Sequence, residues 1–166
     1  MNLSLADKVS LSRIPLTIFF ILFINNKVLL LIILAFVIIS DILDGYLARR
    51  NKNTTKFGAS LDPLMDKIFI VTAFIIFLIN NSITTLQFIF LIIRDVYSIS
   101  EMILIPLLKN NKFHKASLFG KITTSLHFLL ITMLILNIKF TGIVVILVLI
   151  SSIITIFGYV KSRWLK

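Results

Sequence analysis

The 166-residue sequence predicts an all-α integral membrane protein with six transmembrane helices, and three observations predict it. Hydrophobic residues make up 58% of the chain and charged residues 14%, with a mean hydropathy of +1.06, whereas a soluble domain carries about 25% charged residues. The apolar residues form long unbroken runs, and about 20 such residues cross the ~30 Å of bilayer hydrocarbon. The basic residues, finally, collect in alternate connections between those runs. Unbroken runs also exclude a β-barrel, whose strands must alternate apolar and polar residues.

The first run, Leu11 to Asn25, is short for a full crossing, and tilt or an amphipathic lead-in from Leu3 to Ser10 makes up the difference. It carries Arg13 early and no small-residue cleavage site follows, so it is expected to remain as a span rather than be removed as a signal peptide. Val28 to Tyr46 is the second run and ends among acids. The third is Pro63 to Ile79. Because Pro63 lacks a backbone donor, it is expected in the first turn of a helix that begins near Ser60, with Gly58 in the turn before it. Leu86 to Leu108, Leu118 to Leu136 and Gly142 to Val160 complete the six. There is no repeat and no low-complexity linker, so residues 1–166 are expected to form a single membrane domain.

Threading the chain through six spans puts Lys8, Arg13, Arg49, Arg50, Lys52, Lys56, Lys109, Lys112, Lys115, Lys121, Lys161, Arg163 and Lys166 on one side. Only Lys27 and Lys139 fall on the other, while Lys67 and Arg94 lie inside apolar runs. Cytoplasmic loops retain Lys and Arg, so both termini are expected in the cytoplasm and the basic face at the inner surface of the cell membrane. The net charge of +10 would attract anionic membrane lipids and phosphorylated substrates. For most of these lysines, setting the topology is a sufficient account. Nucleic acid is not an expected partner, because the charge is spread over short loops without a recognition module. The absence of cysteine excludes disulfides, thiolate ligands and a cysteine nucleophile, which leaves oxygen chemistry.

Acid is scarce and clustered. Of seven Asp and Glu residues, Asp41, Asp44, Asp62 and Asp66 stand together, and Asp7, Asp95 and Glu101 are scattered. On a helix, at about 100° per residue, Asp41 and Asp44 lie ~60° apart and Ala48 returns to within ~20° of Asp41. Gly58, Asp62 and Asp66 recur at steps of four, which also makes a single stripe. Two facing stripes would bring four carboxylates together, and hard divalent cations with oxygen ligands, Mg²⁺ or Mn²⁺, answer that charge. Any one acidic pair taken alone is equally a structural ion pair, with Lys67 or Arg94 as partner. Gly45, Ala48 and Gly58 read either as helix-packing residues or as room for a ligand against the backbone.

The stretch from Asp41 to Asp66 resembles the signature of the CDP-alcohol phosphotransferases. Asp41 and Asp44 are followed by Gly45, then Ala48-Arg49, eight residues, Gly58, and Asp62 and Asp66 at steps of four, with no mismatch. The six-span topology is similar to that family's fold, so the resemblance extends over essentially the whole chain. It implies transfer of a phosphatidyl group from CDP-diacylglycerol to an alcohol with release of CMP, assisted by two Mg²⁺ or Mn²⁺ ions. It further implies that Asp41, Asp44 and Asp62 bind metal, and that Asp66 is the general base and also touches metal. Gly45, Ala48, Arg49 and Gly58 would line the CDP-lipid pocket. Homodimerisation is also what the resemblance suggests.

The acceptor is expected from the surroundings of the motif. Ser40, Thr55-Lys56-Phe57-Gly58 and Leu61-Asp62-Pro63 resemble the branch that makes phosphatidylglycerophosphate from glycerol 3-phosphate, and the related cardiolipin synthases that use phosphatidylglycerol. An acceptor phosphate needs fixed cations, for which Arg13, Lys67, Arg94 and Lys121 are available, Arg94 and Lys121 foremost. The plainer accounts are that Arg94 pairs with Asp95 or Glu101 and that Lys67 reaches the surface along its own stem. Glycerophosphate users generally open the fifth span with Gly-Lys, a spacer, Lys-Thr and a later Gln. Here Gly120-Lys121 is followed by Thr123 and His127. That departure, with Arg94-Asp95, keeps cardiolipin synthesis as the alternative. His127 and His114 read as a polar core residue and a loop residue. A cation transporter or channel built on the same acids is the rival from another class, and it leaves Gly45 and Ala48-Arg49 without a purpose.

Overall fold

The computed structural model describes residues 11–51, 58–107 and 118–164. Within its helices, the side chains of 44–51, 58–64, 66, 101–107, 118–119 and 159–164 are outside the described residues. Among the described residues the chain is all-α, with six helices: α1 Arg13–Leu22, α2 Lys27–Asn51, α3 Gly58–Ile79, α4 Thr85–Leu107, α5 Leu118–Ile135 and α6 Thr141–Trp164. The helices follow the six apolar runs in order. Helix α1 is shorter than its run and α6 extends to Trp164, and two other boundaries also differ from expectation. The second helix continues through Leu-Ala-Arg-Arg, all good helix formers, to Asn51, and the third starts at Gly58 rather than near Ser60. Pro63 therefore lies beyond the first turn, at the cost of one backbone hydrogen bond.

The described turns are closed by local chemistry. Asn26 caps α2, its Oδ1 accepting from the Leu29 N–H at 3.1 Å. Thr84 and Gln87 form a reciprocal capping box at the start of α4, with the Gln87 N–H to Thr84 Oγ1 at 3.2 Å and the Thr84 N–H to Gln87 Oε1 at 2.9 Å. Asn81 and Asn137 take the left-handed conformation just past α3 and α5, with φ of 54° and 56°. After α5 the Ile138 N–H then returns to the Met133 carbonyl at 2.9 Å, the six-to-one bond that ends a helix.

The chain packs as two compact units, Met1–Phe77 and Leu78–Lys166. In the first, α1 lies on α2, and the Phe20 ring meets Phe69 and Phe77 of α3 edge-on at 5.3 and 6.4 Å. The buried residues of α2, Leu30, Ile33, Leu34 and Val37, step at helical period straight into Ser40. In the second unit α6 packs against both α4 and α5. Its core is apolar toward the α5–α6 turn, with Leu130, Ile131, Leu134, Val145 and Val148, and polar toward the other end, with Thr123, His127, Ser151, Ser152 and Thr155. Within α6, the 18-residue segment Thr141–Gly158 is long and apolar enough to cross a membrane. Ile143, Ile146, Ile150, Ile153 and Phe157 line its exposed side.

Candidate active site

All four aspartates belong to α2 and α3, within the first unit. Helix α1 buries Arg13, Thr17 and Phe20, which recur at steps of four and three and so form one stripe. Arg13 is only 1% exposed. A guanidinium so enclosed must be paired, and its partners among the described residues include two on α2. Its Nε donates to Ser40 Oγ at 3.2 Å and its Nη2 to Asp41 Oδ1 at 3.3 Å. Ser40 gives its own proton to the Val37 carbonyl at 2.8 Å, which leaves its oxygen lone pairs for Arg13. Thr17 in turn donates to the Arg13 carbonyl at 2.8 Å. Asp41 thus stands where the buried stripe of α2 ends, held by a cation on one side with 40% of its side chain still exposed.

The backbone carries the rest of the motif in helical register. Asp44, Gly45, Ala48 and Arg49 continue α2, and Gly58, Asp62 and Asp66 start α3 at intervals of four residues. Ile70, Ala73 and Phe77, the buried stripe of α3, follow Asp66 at the same period. The side chains of these seven residues lie outside the described residues. As a donor set, four carboxylates on two helix ends fit a hard divalent cation, which prefers oxygen ligands and is attracted by their summed charge. Asp41, half exposed and already oriented, has the accessibility a ligand needs.

The two acceptor candidates differ. Arg94 is buried in α4, with Nη2 to Asp95 Oδ1 at 3.5 Å and Nη1 donating to the Gly120 carbonyl of α5 at 3.1 Å. Asp95 Oδ2 lies 3.7 Å from His127 Nδ1. Lys121 is exposed on α5. Of the two ion-pair partners considered for Arg94, Asp95 is the one in contact, and the side chain of Glu101 is outside the described residues. Lys67 is buried rather than extended to the surface. His127 is fully buried, as a core residue would be, and His114 lies outside the described residues. Thr123, where a family lysine was expected, is buried against α6 and donates to Ser151 Oγ at 3.0 Å.

The pairing of Arg13 with Ser40 and Asp41 was not anticipated from the sequence, which offered Arg13 as one of the topology-setting cations and as a candidate for substrate phosphate. No spacing in the sequence marks it: Arg13 lies nine residues before Leu22, where α1 ends, and Asp41 fourteen after Lys27, where α2 begins, so the two are not equidistant from the turn and only the packing of α1 on α2 brings them together.

The comparisons with known proteins show the family. A family model described as CDP-alcohol phosphatidyltransferase matches residues 3–157. A protein of Aquifex aeolicus named CDP-diacylglycerol--glycerol-3-phosphate 3-phosphatidyltransferase is 32% identical over 127 residues, covering 74% of this chain and 70% of that protein. Proteins of the same name from Pectobacterium atrosepticum and Yersinia pestis are 37% and 38% identical over 81 residues. Those matches cover 46% of this chain and 44% of each relative, so the chain spans less than half the length of these two. The match through residue 157 takes in α1 to α5 and most of α6, and with it both helices that carry the acids; the chain belongs to the CDP-alcohol phosphatidyltransferase family.

Proposed function

We propose that the chain is a membrane enzyme that transfers the phosphatidyl group of CDP-diacylglycerol to glycerol 3-phosphate, releasing CMP and forming phosphatidylglycerophosphate. The observation that carries this reading is the unbroken eight-position signature from Asp41 to Asp66 in a chain whose relatives are named for that transfer. Those names favour glycerol 3-phosphate over the phosphatidylglycerol of a cardiolipin synthase, and family membership disfavours a cation channel. Because the family match runs through both compact units, they are taken together as one domain. Six spans, with both termini and the acids at the cytoplasmic face of the cell membrane, follow from the charge asymmetry of the loops. A homodimer is the assembly that the family resemblance suggests.

In this mechanism the acceptor hydroxyl attacks the phosphorus of the phosphatidyl group. The bond from that phosphorus to the bridging oxygen breaks, and CMP leaves with the oxygen. Asp66 accepts the hydroxyl proton. Asp41, Asp44, Asp62 and Asp66 hold divalent metal, for which the family generally has a requirement. When bound, such ions polarise the attacked phosphoryl oxygens and neutralise charge on the leaving phosphate. Arg49 donates hydrogen bonds to the donor's phosphates, and Gly45, Ala48 and Gly58 let the nucleotide approach the backbone. Lys121, exposed on α5, supplies positive charge for the phosphate of the acceptor, while the Arg94 charge is engaged by Asp95.

The direct test is CMP release by purified protein from CDP-diacylglycerol with Mg²⁺, run separately with glycerol 3-phosphate, inositol phosphate, serine and phosphatidylglycerol. Release that depends on glycerol 3-phosphate is expected. Release only with phosphatidylglycerol would move the chain to the cardiolipin-synthase reaction, and no acceptor-dependent release at all would remove the transferase reading.

A further inference from the structure

We infer that Arg13 is a positioning residue for the metal site: its guanidinium, braced on Ser40, holds Asp41 in the orientation from which the carboxylate binds the cation. This role rests on the reading of Asp41 as a metal ligand. The geometry behind it is specific to three side chains on two helices. Arg13 is buried on the α1 stripe that faces α2, and it contacts consecutive residues there, Ser40 through Nε and Asp41 through Nη2. A cation that only screened the acids would not need the second anchor. The Ser40 hydroxyl is itself fixed by the Val37 carbonyl, so the guanidinium plane is set by a chain of hydrogen bonds that ends in the α2 backbone. Mutating a partner that orients a ligand in this way typically lowers metal affinity by about 10–100-fold.

Two physical effects oppose each other at this position, and they make the role testable. As a positive charge beside the site, Arg13 repels a divalent cation, so removing it should tighten metal binding if charge were all that mattered. As a brace, it limits the rotamers of Asp41, so removing it should weaken binding because the carboxylate must be ordered by the metal alone. The second effect is expected to dominate. Lysine separates the two, since it keeps the charge but, having no planar fork, cannot span Ser40 and Asp41 together.

The experiment is Mn²⁺ binding to the purified full chain in nanodiscs, read by electron paramagnetic resonance, together with the KM for glycerol 3-phosphate. Wild type, Arg13→Lys, Arg13→Gln and Ser40→Ala are compared. Arg13→Lys is expected to weaken Mn²⁺ binding by about 10–100-fold, with the KM for glycerol 3-phosphate unchanged. Ser40→Ala should shift binding in the same direction by less, and because it removes only a hydroxyl it serves if an Arg13 variant does not fold. Unchanged Mn²⁺ affinity in Arg13→Lys and Ser40→Ala, tighter binding in Arg13→Gln, or a rise confined to the acceptor KM would each overturn the role. A wild-type protein that binds no Mn²⁺ would instead remove the metal assignment itself.

Discussion

Thr123 on α5 donates its hydroxyl to Ser151 on α6 across 3.0 Å, and Ser151 passes its own proton to the Val148 carbonyl at 3.0 Å. Both residues are buried, so the pair joins two helices at a point where an unpaired hydroxyl would be costly. A lysine in place of Thr123 would put an ammonium into that contact. Thr123→Lys is therefore expected to lower the thermal midpoint in detergent sharply, whereas Thr123→Val, which loses only the hydrogen bond, should cost about 1 kcal/mol. Equal midpoints for Thr123→Lys and wild type would show that the α5–α6 contact tolerates the charge.

Arg94 and Asp95 form a second buried pair, and Arg94 also ties α4 to the Gly120 carbonyl. Removing one partner leaves the other charge buried. Asp95→Ala is expected to destabilise the fold by roughly 3–5 kcal/mol. Lys121→Ala, at an exposed position, should stay within about 0.5 kcal/mol of wild type. It should raise the KM for glycerol 3-phosphate without changing that for CDP-diacylglycerol. Parallel rises in both KM values would argue against an acceptor-specific role for Lys121.

Asp44→Ala and Asp66→Asn are expected to abolish CMP release while leaving the gel-filtration profile of the protein unchanged. Chelation with EDTA should do the same to the wild type, and Mg²⁺ or Mn²⁺ should restore it, because the carboxylates need the cation to neutralise the diphosphate. Near-normal turnover in Asp66→Asn would falsify the assignment of that residue as the base.

The topology can be mapped with little background, since the chain has no cysteine. Single cysteines at Lys27 and Lys139, both exposed, are expected to react with a membrane-impermeant maleimide on intact cells. A cysteine at Lys112 should react only after the cells are opened. Labelling of all three from outside would contradict the six-span path with both termini in the cytoplasm.

The sequence by itself determined the helical class, the order of the six helices and the register of the acids. Each of these depends on local periodicity and on runs long enough to read without tertiary contacts. Asp41 and Asp44, and Gly58, Asp62 and Asp66, had to share helical faces once their segments were helices. Helix ends were less legible, because Pro63 argued for a later start than Gly58 and local propensity alone could not decide between them. Only the tertiary structure decided the use of the buried cations and hydroxyls. Arg13, Arg94 and Lys67 look alike in sequence as charges in apolar runs, but their meaning depends on which neighbour a folded helix presents. Arg13 meets Ser40 and Asp41, Arg94 meets Asp95 and Gly120, and Thr123 meets Ser151. Those partners come from separate helices or from a side-chain orientation, and burial makes each pairing obligatory, since an enclosed polar group without one is too costly to keep.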